Sequence, residues 1–177
     1  MSKNNFDNSF RETVGHEGAL SMDRLDRGNW CGGEIGVGEL KGTKYGVSAA
    51  AYPKLDIKNL TLKDAKSIYK KDYWDKVRGD ELPTGLDFMV FDAAVNHGVT
   101  TATKLLQKAV EVKDDGKIGP VTLAAVKKTL TYDLLQEYIA RRHVYWADIS
   151  TFDRYGLGWS RRGVRVLLKA IYMHEQT

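Results

Sequence analysis

The chain of 177 residues has a single cysteine, Cys31, and three prolines. One thiol closes no internal disulfide, so the fold has to stand on its apolar core, as suits a protein made in a reducing cytosol. No stretch approaches the roughly 18 uninterrupted apolar residues of a membrane-spanning helix. The opening "MSKNNFDNSF" lacks the apolar run of a secretory leader, so cytoplasmic accumulation is expected. Metal ligands are also scarce in pattern. His16, His97, His143 and His174 are scattered, Cys31 has no neighbour at ligand spacing, and no H-E-x-x-H pair occurs. "GGEIGVG" has the glycines of a phosphate loop without its strand–helix setting. Neither a metal nor a cofactor is expected.

What is present describes a globular chain. Hydrophobic residues make up 42% and charged residues 28%, enough apolar material for the core of one ordinary domain. The net charge of +4 is uneven. Residues 1–90 hold 14 basic and 14 acidic side chains, whereas residues 91–177 hold 13 and 9. A basic second half suits a polyanionic partner such as nucleic acid, an acidic cell wall or a membrane surface, and a plain solvated surface explains it at least as well. "RRH" at 141–143 and "RRGVR" at 161–165 fit solvated helical faces better than contacts to a polyanion.

Periodicity predicts a mostly helical chain. Phe6, Phe10 and Val14 recur at helical spacing, so a first helix is expected over residues 5–16, closed by Gly18 in "HEG". From 21 to 60 the texture changes to glycine-rich, with "GEIGVGELKG" a candidate for short strands or hairpins; so long an irregular stretch is usually functional. Thr61 is a good N-cap for the next helix, with Asp64 in capping-box position. "LDFMVFDAAVNHG" is apolar enough to be a central buried helix ending at Gly98. Helices are further expected over 100–112, from Pro120 to 129, over 132–149 and over 159–173.

Two carboxylates separated by a cleft are the usual apparatus of glycoside hydrolysis. Glu17, next to a glycine-rich loop, is a candidate for the protonated one, a solvated surface charge being the alternative. Asp26 in "MDRLDRG" is a candidate for the other, although the segment also reads as a solvated turn with Asp–Arg pairs. Trp30, beside Asp26, is the tryptophan best placed to stack on a sugar.

Taken together, "HEG", "LDRG", "GTKYGVS", "FDAAVNHG" and "DGKIGPVTL" resemble glycoside hydrolase family 108, the lysozyme-like N-acetylmuramidases, over residues 10 to about 167. The resemblance implies an α+β, predominantly α-helical, lysozyme-like fold with a small irregular, glycine-rich β lobe. It implies a catalytic part over residues 1–90 and a helical, peptidoglycan-binding part over 91–177, packed as one compact unit. It carries the general acid onto Glu17 and the loop positions onto Asp26, Thr43, Tyr45 and Gly46; Asn96 and His97 are further candidates for substrate contact. Two departures stand out. Ala19 replaces the second glycine of the family's E-G-G. The insertion "NWCGGEIGVGELK" brings in Glu34 and Glu39 as rivals to Asp26 for the second carboxylate.

The activity implied is cleavage of the β-1,4 bond between N-acetylmuramic acid and N-acetylglucosamine, as in a phage or prophage endolysin. Such a protein is a monomer that acts on bacterial peptidoglycan, binds no nucleic acid, and is released by a separate membrane-permeabilising, holin-like protein. A wall-binding or secretion-accessory protein without activity and a lytic transglycosylase are the other readings.

Overall fold

The computed structural model of the chain describes residues 5–15 and 18–177. These fall into two compact units. Phe10–Lys70 form the smaller, and Lys71–Thr177 with the described part of Met1–Ser9 form the larger, helical one. Helix α1 (Asn5–Val14) contributes to both. The fold is α+β and predominantly helical, with seven α-helices and one two-stranded sheet among the described residues.

In the smaller unit, α1 stops at Val14, earlier than the expected close at Gly18. Gly15 takes a left-handed φ of 83° and donates its N–H to Arg11 O at 3.0 Å, which ends the helix. A 3-10 turn follows at Arg27–Asn29, then strands β1 (Thr43–Lys44) and β2 (Val47–Ser48). The strands are antiparallel, with Thr43 opposite Ser48 and Lys44 opposite Val47. Tyr45 and Gly46, the two residues between them, have φ of 50° and 73°. Two left-handed residues in succession make the type I′ turn whose twist matches that of the strands.

The hairpin is therefore "TKYGVS", not "GEIGVGELKG". Within that second segment Gly33, Gly36 and Gly38 all take positive φ, which reverses the chain too often for a strand. Gly32 N–H closes on Val37 O at 3.1 Å and Cys31 N–H on Glu39 O at 3.0 Å, while the Trp30–Leu40 bridge joins the ends of the loop.

Helix α2 (Leu62–Tyr69) starts at a complete capping box. Thr61 Oγ1 accepts from Asp64 N at 3.2 Å, and Asp64 Oδ2 accepts from Thr61 N at 3.1 Å. The chain then widens into a π-turn at Lys70–Trp74. Buried Phe10 meets Tyr69 edge to face at 5.3 Å, and Val47, Ala49, Ile57, Leu60 and Ala65 are buried too.

The helical unit is built on α3 (Leu86–His97), whose first nine residues are all buried, as the apolar run predicted. Helices α4 (Val99–Ala109), α5 (Pro120–Lys128), α6 (Thr131–Ala147) and α7 (Phe152–Glu175) follow. Their inward side chains, among them Met89, Leu106, Leu134 and Tyr138, form one continuous core. Helix α7 begins well before the expected residue 159, and Gly156 and Gly158 in its first two turns, poor helix formers both, hide that start in the sequence.

Two buried polar residues organise this unit. Gln107 on α4 holds the turn before α5: its Nε2 donates to Asp115 Oδ1 at 2.8 Å and Lys117 O at 3.0 Å, and its Oε1 accepts from Gly116 N at 2.8 Å. Asp87 in the first turn of α3 accepts from Asn5 Nδ2, Gly85 N and Phe88 N at 2.7–2.8 Å. Burial nevertheless raises its pKa from 3.8 to about 6, outweighing those donors.

Candidate functional site

The sequence candidates 26, 30, 43, 45 and 46 all lie in the smaller unit, on one hydrogen-bonded framework. Ser21 and Thr43 exchange both backbone bonds, Ser21 N to Thr43 O at 2.9 Å and Thr43 N to Ser21 O at 3.0 Å. Strand β1 therefore runs between the 18–21 segment and β2. Asn29, fully buried, ties the Asp26 turn to this frame. Its Nδ2 donates to Asp23 O at 2.9 Å and to Ser21 Oγ at 3.3 Å, and its carbonyl accepts from Lys41 N and Gly42 N, both at 3.0 Å.

Asp26 caps the 3-10 turn, its Oδ1 accepting from Gly28 N at 2.8 Å. One carboxylate oxygen is thus used in positioning. The side chain is exposed, and its Oδ2 accepts no hydrogen bond from the described residues. Trp30 is half-buried, and its indole N–H donates to Arg24 O at 3.0 Å, which turns the ring back over the same loop.

Tyr45 is placed by the I′ turn. Its ring lies so close over Gly18 that a Cβ there would stand 2.0 Å from Tyr45 Cε1. Gly46 is equally constrained, because a Cβ would meet Tyr69 Oη at 2.4 Å. Glu17, the residue before Gly18, lies outside the described residues. Glu34 and Glu39 are both exposed, Glu39 at 3.6 Å from Lys41 Nζ.

Asn96 and His97 belong to the helical unit and line a cavity of about 450 Å³ formed by that unit alone, with Tyr145, Trp146, Trp159 and Arg162. Asn96 Nδ2 donates to Asp92 O at 2.7 Å within its own helix. His97 Nε2 accepts from Arg142 Nε at 3.2 Å and from Trp146 Nε1 at 3.0 Å. A nitrogen that accepts twice carries no proton, so the ring is neutral with its hydrogen on Nδ1. Burial, then the Arg142 guanidinium, lowers its pKa from 6.5 to about 4.

Behind His97 lies an ion cluster that periodicity did not reveal. Asp92, within the apolar run of α3, accepts from Arg142 Nη1 at 2.7 Å and pairs with Arg162 through Nη2. Arg142 is fully buried, with its Cζ 4.8 Å from the centre of the Trp146 ring. "RRH" and "RRGVR" thus each turn one arginine inward where solvated faces were expected. The signal was Asp92 itself, because a carboxylate in so apolar a helix requires a buried partner.

Comparison with known proteins draws a different boundary, which takes α3 with the smaller unit. Residues 10–98 match the family model of glycosyl hydrolase 108, and residues 101–164 match a predicted peptidoglycan domain. The fold is similar to that of Brucella abortus SagA, with a TM-score of 0.80 and 32% sequence identity over 98% of this chain and 97% of that one. No curated protein matches.

Proposed function

The chain belongs to the glycosyl hydrolase 108 family, and from that premise we propose a peptidoglycan hydrolase that cleaves the β-1,4 bond between N-acetylmuramic acid and N-acetylglucosamine. Glu17 serves as the general acid and protonates the glycosidic oxygen. Asp26 stabilises the positive charge that develops on the sugar or activates water, and Thr43 on β1 assists it. Tyr45, Gly46 and Trp30 contact the sugar. The observation that carries this reading is the framework of Ser21, Asn29 and Thr43, which ties the Asp26 turn and the Tyr45 ring to the segment that follows Glu17.

Asp26 is favoured over Glu34 and Glu39 because its carboxylate is held by a backbone donor and keeps one oxygen uncommitted among the described residues. The setting is that of an endolysin, a monomer stored in the host cytoplasm and released to the wall by a holin-like protein; an unpaired thiol such as Cys31 suits such storage.

The test is the new end group released from purified peptidoglycan by the wild type and by Glu17→Gln. Reducing N-acetylmuramic acid from the wild type alone is the expected result. A 1,6-anhydro product makes the chain a lytic transglycosylase. Sedimentation of both proteins with the wall, without sugar release from either, makes it a binding protein.

A further inference from the structure

We propose that the cavity bounded by His97, Tyr145, Trp146, Trp159 and Arg162 is a second ligand site, one that takes a carboxylate-bearing N-acetylmuramyl peptide of the wall. The inference rests on the reading that this protein acts on peptidoglycan, and it concerns a site other than the one that cleaves.

The charge balance comes first. Arg142 and Arg162 face a single carboxylate, Asp92, and His97 is held neutral by its two donors. One positive charge is left over in a partly enclosed space, where it attracts an anion more strongly than on open surface. Arg142 gives Nη1 to Asp92 and Nε to His97 and keeps a buried Nη2 without a partner among the described residues, but it is wholly buried, so it is not the exposed contact. Arg162 is. Its side chain is 31% exposed, and it gives Nε and Nη2 to Asp92, which leaves Nη1 uncommitted among the described residues.

The walls supply the rest of the recognition. Trp159 and Tyr145, both half-buried, present ring surface of the kind that packs on the apolar face of a pyranose or on a peptide plane, and buried Trp146 backs them. The volume of about 450 Å³ suits one sugar with a short peptide. A surplus of one charge matches a monoanionic carboxylate better than a doubly charged phosphate.

The experiment is 1H–15N NMR of the full chain titrated with N-acetylmuramyl-L-alanyl-D-isoglutamine, following the Trp146 and Trp159 indole signals. Inorganic phosphate and N,N′-diacetylchitobiose are titrated in parallel. Saturable shifts of those indoles with the muramyl peptide alone are expected. Arg162→Gln should weaken them about tenfold or more, the loss of one charge-assisted hydrogen bond, while Arg162→Lys keeps the charge and retains binding.

Equal response to phosphate would show a generic anion site, and equal response to chitobiose a sugar site without need of Arg162. Either result, or unmoved indoles, overturns the assignment. If Arg162→Gln fails to fold, the lysine variant and the two parallel titrations still decide. A wild type that binds at these tryptophans but releases no sugar ends keeps this inference and removes the hydrolase reading. One that releases ends without moving the indoles does the reverse.

Discussion

Arg142 Nη1 stands 2.7 Å from Asp92 Oδ2 with 0% and 1% of the two side chains exposed. Such a pair contributes little net stability when intact and costs a great deal when broken, because the surviving charge has no water to return to. Asp92→Ala should therefore destabilise the protein by about 3–5 kcal/mol. Arg162→Ala, at the exposed edge, should cost about 1 kcal/mol or less. Urea unfolding of the two variants checks both values, and equal costs would contradict the picture of Arg142 as the buried member.

His97 and Asp87 give stability opposite dependences on pH. The unfolded chain protonates His97 near 6.5 and the folded one near 4, so this contribution is complete above 6.5 and is lost as pH falls toward 4. Asp87 behaves in reverse. Its folded pKa of about 6 lies above the reference 3.8, so its contribution is complete below 3.8 and is lost as pH rises through 6. His97→Gln removes only the first. The stability gap between wild type and this variant should widen by roughly 1–2 kcal/mol from pH 4 to 6.5, read from denaturation midpoints along that range. A constant gap would mean that His97 takes up its proton in the folded state as readily as in the unfolded one.

Asp26→Asn separates charge from structure. Asparagine caps a turn as well as aspartate does, so stability should change by less than about 0.5 kcal/mol. Sugar release should fall by about 10²–10⁴. Glu34→Gln and Glu39→Gln should leave the rate within about twofold, the usual reach of a change to one exposed charge. A normal rate for Asp26→Asn together with a collapse in either glutamate variant would transfer the second carboxylate to the inserted loop.

Gly18→Ala puts a methyl group into the Tyr45 ring. Forcing such a contact costs about 1–3 kcal/mol, and the same substitution in a Tyr45→Ala background should cost almost nothing. The coupling in that double-mutant cycle should thus be of the order of the single-variant cost. The rate of sugar release should fall in Gly18→Ala even at temperatures where the protein is fully folded. Additive costs would show that ring and glycine do not meet.

Much of the fold was legible because it follows from local chemistry. The apolar run of α3, Pro120 opening α5, and Thr61 with Asp64 opening α2 each encode their element within a few residues. The place of the hairpin is not legible, because "GEIGVGELKG" and "TKYGVS" both carry glycine and β-branched residues. What separates them is the sign of φ at successive positions, which composition does not record. The site divides in the same manner. Asp26, Thr43 and Tyr45 share a framework whose central member, Asn29, drew no notice, since a single asparagine in a loop carries no periodic signal. Arg142 and Arg162 looked solvated because each sits beside other arginines. Their common partner lies 50 and 70 residues away in sequence, a distance no local pattern spans.

The helical unit is assembled from two separate pieces of chain. Phe6 packs on Trp74 and Phe91 at 5.6 and 5.9 Å, and Asn5 reaches Asp87 and Thr84. During synthesis these residues leave the ribosome well before their partners, which are made some seventy residues later. The intervening segment, Phe10–Lys70, is contiguous and has all of its own members by then. The nascent chain is thus obliged to hold Asn5 and Phe6 in reserve. The hairpin and its Asp26 turn, by contrast, lie wholly within the contiguous segment.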